Sequence, residues 1–310
     1  MPDLSRYIEL IKSGEVVAFP TETVYGLGAD ARNPSAIKKV FETKGRPADN
    51  PLIVHVSNID QVNDFVAVTP DPAKKLIDEF WPGPLTIIFK KKPEVLDLIT
   101  AGLDTVAIRM PDHSIALELI YATGPLVAPS ANKSGRPSPT KADHVMSDFG
   151  NDFPVIVGGN TEVGLESTVI DLSSEFPTIL RPGKIGTKEI ESVLGTTVRD
   201  STSGSEVESP KSPGQKYSHY KPIASVVYGN IEGIKEDTLY LLQSKSNKNS
   251  RNIVCYNGDL QLLSKELYDR FRQADHIGYR NIHIEPIEPY TKEYPSYYEA
   301  LKNRISRALG

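Results

Sequence analysis

The chain has 310 residues, a formal net charge of −5, 39% hydrophobic and 24% charged residues, and a single cysteine, Cys255. This is globular composition with enough apolar material for a sizeable core, at a length that suits two domains. It disfavours a protein whose main work is non-specific nucleic-acid binding, which needs a basic surface, and one cysteine excludes a disulfide within the chain.

The first residues, MPDLSRYIELIKSGE, place no long apolar run behind a basic stretch, and no segment reaches the roughly 20 apolar residues of a membrane span. A soluble cytoplasmic protein without membrane association is expected. Leu4, Ile8 and Ile11 share one helical face, and Gly14 ends that helix. Glu15–Pro20 reads as a short buried strand. Asn33 and Pro34 open a second helix as cap and first-turn residue, with Ile37, Val40 and Phe41 on its apolar face and Gly45 after it. Apolar runs at Pro51–Val56, Leu85–Lys90, Val106–Pro111, Pro125–Ser130, Phe153–Gly159 and Ser167–Leu172 predict strands. Helical patterns lie between them at Ala73–Phe80 and Ser114–Tyr121, and Thr140 with Asp143 resembles a capping pair that opens another helix. Strands and helices interleave irregularly, so the expectation is an α/β domain over residues 1–199, a twisted mixed sheet flanked by helices.

Residues 200–222, DSTSGSEVESPKSPGQKYSHYKP, are rich in Ser, Pro, Gly and charge and read as a linker. Beyond it, residues 223–310 alternate regularly. ASVVYG, TLYLLQ, NIVCYN and IHIEPI are strand-like, Leu260–Gln273 is an amphipathic helix, and Tyr297–Leu309 is a closing one. That is the pattern of a small Rossmann-like α/β domain.

Chemistry is expected where polar, glycine-rich segments follow strands, because backbone and hydroxyl groups converge there. PTETVYGLGA (Pro20–Ala29) offers Thr21, Glu22, Thr23 and Tyr25 ahead of Gly26 and Gly28; it also reads as a plain two-glycine turn. Gly26, Gly28 and Ala31 match a loose dinucleotide pattern. However, the helix is delayed to Asn33–Pro34, and Asn50–Pro51 stands where that pattern wants an acid. KGRPADNPLIVHV (Lys44–Val56) sets Lys44 and Arg46 near Asn50, a cationic fork for phosphate or carboxylate or else a solvated charged loop. His55 in its apolar run suits a core histidine. Arg109 in VAIRMP is a permanent cation in a buried strand and needs an anionic partner, an acidic side chain or a substrate carboxylate. VAPSANKSGRPSPT (Val127–Thr140), Glu166–Thr168 and Arg181 add hydroxyls and cations, so a polyanion pocket is indicated without naming the anion. No phosphate-binding GxxxxGK[ST], HExxH, paired CxxC or GxSxG motif is present.

PTETVYGLGA, KGRPADNPLIVHV, FWPGPLT (Phe80–Thr86), AIRMPDH (Ala107–His113), APSANKSGRPSPT and ESTVID together resemble the YrdC/Sua5 family of threonylcarbamoyl-AMP synthases, in that family's order over about the first 190 residues. SPGQKYSHYKP (Ser212–Pro222) is similar to the linker of the two-domain Sua5 type, although Gln215 stands where methionine is common. The resemblance implies a YrdC-like first domain and a nucleotidyltransferase reaction in which L-threonine, bicarbonate or CO₂, and ATP with Mg²⁺ give threonylcarbamoyl-adenylate and pyrophosphate. No protein nucleophile or protein-held metal is implied. Thr23, His55, Arg109, Ala128 and Ser167 would hold threonine. Lys44, Arg46, Asn50, Thr105, Ser130, Asn132, Ser138, Arg181 and Tyr217 would surround ATP, with Tyr217 and its neighbours closing as a flap. The product would pass to a tRNA-modifying transferase complex acting on adenosine 37, and weak tRNA binding is a further expectation. The competing readings are a non-catalytic RNA-binding module and a carbamoyltransferase of hydrogenase maturation; the latter lacks its zinc-finger and acylphosphatase-like segments here.

Overall fold

A computed structural model describes residues 2–201, 220–245 and 250–309. The first part runs α1 (Ser5–Lys12), β1 (Val17–Phe19), β2 (Gly26–Asp30), α2 (Pro34–Lys44), β3 (Ile53–His55), α3 (Asp71–Phe80), β4 (Leu85–Lys90), α4 (Asp97–Thr100), β5 (Thr105–Arg109), α5 (Ser114–Thr123), β6 (Leu126–Val127), α6 (Ala142–Phe149), β7 (Thr168–Asp171), β8 (Thr178–Arg181), α7 (Thr187–Leu194) and β9 (Arg199–Asp200). Its strands form one mixed sheet in the order β1-β2-β6-β3-β5-β4-β7-β8-β9. Helix α2 shows the local logic. Asn33 accepts from the Ser35 and Ala36 amides, Pro34 sits in the first turn, and Gly45 at φ 60° closes the helix.

Side-chain alternation along the central strands decides what the sheet does. Val54, Val106, Ile108, Leu85, Ile87, Phe89 and Ile170 belong to the main core, with Leu76 and Ile77 of α3 and Ile190 of α7. The intervening positions, Ile53, Ala107, Ile88 and Val169, make a small separate cluster. His55, Arg109 and Thr86 are on that second face, each two residues from a member of the cluster. There β3 and β5 run parallel with His55 directly beside Arg109.

Several elements differ from expectation. Gly26–Asp30, read within a loop, is a strand that pairs back on β1. Phe153–Gly159 is not a strand: it meets β1 in one isolated bridge, Val155 to Ala18, with the Ala18 amide on Pro154 O and the Ile156 amide on Ala18 O, and the pairing goes no further. Helix α6 is capped at Lys141 without a side-chain bond, while the Thr140 amide donates to His144 Nδ1 at 3.2 Å, so Thr140 and Asp143 form no capping pair. Helix α7 and strands β8 and β9 were not anticipated, and Asp200, read as the first linker residue, ends β9.

The second part holds β10 (Ser225–Tyr228), β11 (Thr238–Leu242), β12 (Ile253–Cys255), α8 (Leu260–Ile277), β13 (Asn281–Ile284) and α9 (Pro295–Leu309). Its four strands are all parallel in the order β10-β13-β11-β12. Leu239, Leu241, Leu267, Phe271, Ile284, Leu301 and Ile305 build its core. Helix α8 grips the first part. Arg272 pairs with Asp148 at 2.8 Å and donates to the Pro137 carbonyl at 2.6 Å, and Asp269 receives Lys141 at 2.7 Å. Gly164, at φ 79°, lets the backbone come so close to α8 that a Cβ there would lie 2.4 Å from the Cα of Lys265. Among the described residues, no helix is long and apolar enough to cross a membrane.

Replacing the fully buried Ile108 with Ala is expected to lower stability by about 2–5 kcal/mol in chemical denaturation. Val68→Ala, at a side chain 73% exposed, should stay within about 0.5 kcal/mol.

Candidate active site

One pocket opens on the second face of the first sheet. It is lined by Thr21, Thr23, Val24, Gly26, Arg46, Ile53, His55, Arg109, Ala128, Pro129, Ser130, Glu166, Ser167, Arg181 and Tyr220. The turn between β1 and β2 forms one wall. Its backbone is satisfied from the segment after β6, with the Leu27 amide on Pro129 O, the Ala131 amide on Tyr25 O and the Tyr25 amide on Pro139 O. Both polar segments are thereby held as one rigid rim.

All five residues expected to bind threonine line this pocket. Arg109 is buried, and donates through Nη1 to Thr23 Oγ1 at 2.9 Å and through Nε to Gly83 O at 3.2 Å. Its charge is met by Glu22, with Nη2 to Oε1 at 2.6 Å, although the two are not aligned as a hydrogen bond. His55 lies beside it with Nδ1 3.3 Å from Ile53 O, so Nδ1 is the donor and Nε2 is left as an acceptor. Burial, and then the Arg109 charge, pull the imidazole down to a pKa of about 3, and it is neutral at any ordinary pH. Ser167 Oγ sits 2.7 Å from Thr86 Oγ1 and accepts from Arg181 Nη2 at 3.0 Å. Ala128 lies on the wall, its amide on Ile53 O.

The residues expected around ATP divide in two. Arg46, Ser130 and Arg181 line the pocket. Lys44, Asn50, Thr105, Asn132 and Ser138 are buried but are not among the lining residues. Lys44 Nζ donates to Ser130 O and Asn132 O, at 2.5 and 2.6 Å, and so ties that loop to the end of α2; burial, then Arg46, pull its ammonium well below the ordinary value. Asn132 Nδ2 holds the Lys133 and Arg136 carbonyls, while the side chain of Asn50 has no hydrogen-bond partner among the described residues. Tyr217 lies outside the described residues.

The structure adds groups that sequence reasoning left without a role. Glu22 was seen as a polar residue but not as the partner of Arg109. Glu166 is the one carboxylate among the described lining residues. Its Oε1 accepts from Ser138 Oγ at 2.5 Å, and its Oε2 from Arg304 Nε at 2.8 Å and Tyr268 OH at 3.1 Å. Burial pushes this carboxyl up, but the charges of Arg304 and Arg181 and the bonds from Ser138 and Arg304 outweigh that, and it sits below its usual range. Tyr220 is buried at φ 68° and stacks on Tyr268 with ring centres 5.4 Å apart. Arg304 was not singled out from the sequence; the signal that could have found it is a charge among Leu301, Ile305 and Ala308 on the apolar face of α9.

The His55 shift has a stability consequence. Its folded value lies below the unfolded one of about 6.5, so the unfolded chain binds the extra proton first. The stabilisation is complete above pH 6.5 and is lost as pH falls toward 3. Over that window the wild-type protein should lose up to about 1.4 kcal/mol per pH unit more than His55→Gln, measured as denaturation midpoints against pH.

The Sua5/YciO/YrdC family model, described as "Telomere recombination", matches residues 9–183. A second model, "Threonylcarbamoyl-AMP synthase, C-terminal domain", matches residues 185–310. The chain is 50% identical over 245 residues to a threonylcarbamoyl-AMP synthase of Bacillus subtilis, covering 78% of this chain and 70% of that one. It is 41% identical over 319 residues to that of Pyrococcus abyssi, covering 97% and 92%. The solved structure of P. abyssi Sua5 complexed with L-threonine superposes with a TM-score of 0.89 at 40% identity, over 98% of this chain and 93% of that one. With both family domains in sequence and a full-length relative of the same architecture, the chain belongs to the Sua5/YciO/YrdC family in its two-domain Sua5 form.

Proposed function

We propose that this chain is a threonylcarbamoyl-AMP synthase, a nucleotidyltransferase that makes threonylcarbamoyl-adenylate and pyrophosphate from L-threonine, bicarbonate or CO₂, and ATP. The observation that carries this reading is a single pocket with two chemistries. Its lining combines a buried guanidinium, a neutral imidazole and hydroxyls (Arg109, His55, Thr23, Ser167) with further cations and a hydroxyl loop, Arg46, the Ser130 loop and Arg181, the last of which donates to Ser167 itself. The first set suits an amino acid and the second a polyphosphate. The names of the relatives, and the threonine in the P. abyssi complex, support it.

In this reading Arg109 takes the threonine carboxylate. Its pairing with Glu22 is close but misaligned, so a carboxylate that offers the guanidinium an aligned fork can compete for it. His55 stays neutral, adds no second cation to the carboxylate end, and presents Nε2 as an acceptor for the amine or hydroxyl of threonine. The free amine adds to CO₂ and releases a proton, giving a carbamate. A carbamate oxygen then attacks the α-phosphorus of ATP, the bond from that phosphorus to the bridging oxygen breaks, and pyrophosphate leaves. Arg46 and Arg181 stabilise the charge that shifts onto the phosphates, and alignment supplies the remainder of the catalysis. Lys44, Asn132 and Ser138, which sit behind the lining, act by fixing the Ser130 loop and Glu166. Mg²⁺ belongs with the ATP phosphates: Glu22 and Glu166 are each committed to a guanidinium and suit a metal poorly. The product then serves a cytoplasmic transferase that modifies adenosine 37 of tRNA.

Pyrophosphate release from Mg·ATP and bicarbonate should depend on L-threonine and fall at least about tenfold with L-serine, since a pocket that buries the extra methyl gains about 1–3 kcal/mol from it. Release that ignores the amino acid would overturn the reading. Arg109→Lys keeps the charge and loses the fork, so KM for threonine should rise about 10–100-fold while KM for ATP changes less than about threefold. Equal changes in both constants would remove the carboxylate assignment.

A further inference from the structure

We infer that Arg304, on the last helix of the second domain, is a positioning residue of the nucleotide site in the first, neutralising Glu166 so that the pocket can receive a polyphosphate. The inference rests on the ATP assignment made above. Glu166 stands among cations in the pocket wall, and its two oxygens answer to different domains. Oε1 is held by Ser138 of the first, and Oε2 by Arg304 and Tyr268 of the second. A carboxylate buried beside an incoming polyanion repels it unless a cation is fixed against it. Arg304 is the ion-pair partner that the structure provides.

Arg304 is also placed as a site residue and not only as a staple between domains. It is completely buried, its Nη1 donates to Asn303 Oδ1 at 2.8 Å, and its guanidinium lies 5.4 Å from the ring centre of Tyr220, which itself lines the pocket. Nη2 has no hydrogen-bond partner among the described residues. A buried guanidinium that served cohesion alone would be expected to spend its donors, as most buried polar groups do. Arg272 shows the contrast. It too is a buried interdomain arginine, but all three of its nitrogens are engaged by Asp148 and the Pro137 and His144 carbonyls, and it meets none of the pocket-lining residues.

The two arginines therefore form a matched test in the full chain. ATP affinity is measured by titration calorimetry, with KM for ATP and for threonine from pyrophosphate release. Arg304→Met should weaken ATP binding about 10–100-fold while threonine stays within about threefold, and Arg304→Lys should recover most of the loss. Arg272→Met breaks an equivalent interdomain pair and should leave ATP affinity within about threefold. The double variant Glu166→Gln/Arg304→Met removes both charges, avoids an unpaired buried carboxylate, and should bind ATP within about fivefold of wild type. It remains informative if the single Arg304→Met variant does not fold. Unchanged ATP affinity in Arg304→Met, equal losses from Arg272→Met and Arg304→Met, or no rescue in the double variant would each overturn the inference and leave the proposed function standing. A wild-type chain that binds no ATP would overturn both.

Discussion

A guanidinium on a buried strand needs a fixed counter-charge, and the site is organised around that requirement at Arg109. Desolvating an unpaired charge is prohibitive, so the turn between β1 and β2 must bring Glu22 to within 2.6 Å of it. That turn is in turn clasped by the segment after β6 through backbone bonds. The Thr23 hydroxyl that accepts from Arg109 and the backbone bonds that hold the Ser130 loop belong to the same arrangement. The pairing is close, at 2.6 Å between Nη2 and Oε1, but is not aligned as a hydrogen bond.

The same requirement recurs at Glu166, with the partner supplied from the other domain. Here the carboxylate is on the pocket wall and the guanidinium comes from α9. The second domain is therefore more than an appended Rossmann-like unit. Its helices α8 and α9 reach the first domain with Arg272, Asp269, Tyr268 and Arg304, and two of these end on a group that lines the pocket. Tyr220, near the end of the stretch read as the linker, is pinned between these elements at a positive φ that a bulky residue rarely adopts without strong surroundings. The pocket wall and the contact between the two domains thus share Glu166 and Tyr220.

The helices α1, α2, α3, α5, α8 and α9 and the central strands of the first sheet were legible in the sequence, because apolar periodicity and caps are local. Asn33–Pro34 and Gly45 delimit α2 within hydrogen-bonding distance along the chain. The strands that were missed are those whose signal is not local. Gly26–Asp30 looks like a turn until β1 and β6 pair with it, and β9 is two exposed residues that become a strand only against β8. Phe153–Gly159 differed in the other direction, with strand-like side chains on a backbone that meets β1 only at Val155.

For the candidate site, residue types and their order were enough to single out Arg109, Arg181 and the hydroxyl-bearing segments of Thr23, Ser130 and Ser167, while His55 read as a core histidine and entered only through the family resemblance; all six line the pocket. The sequence also showed that Arg109 needed an anion, whereas Arg304 was not singled out. It could not show which carboxylate answered each, because Glu22 and Arg109 are 87 residues apart and Glu166 and Arg304 are 138 apart. Nor could it separate the cations that face the pocket, Arg46 and Arg181, from Lys44, which is spent on the Ser130 and Asn132 carbonyls behind it. Pairing of buried charges is a matter of distance in space and of desolvation, and both exist only once strands from remote parts of the chain have been set side by side.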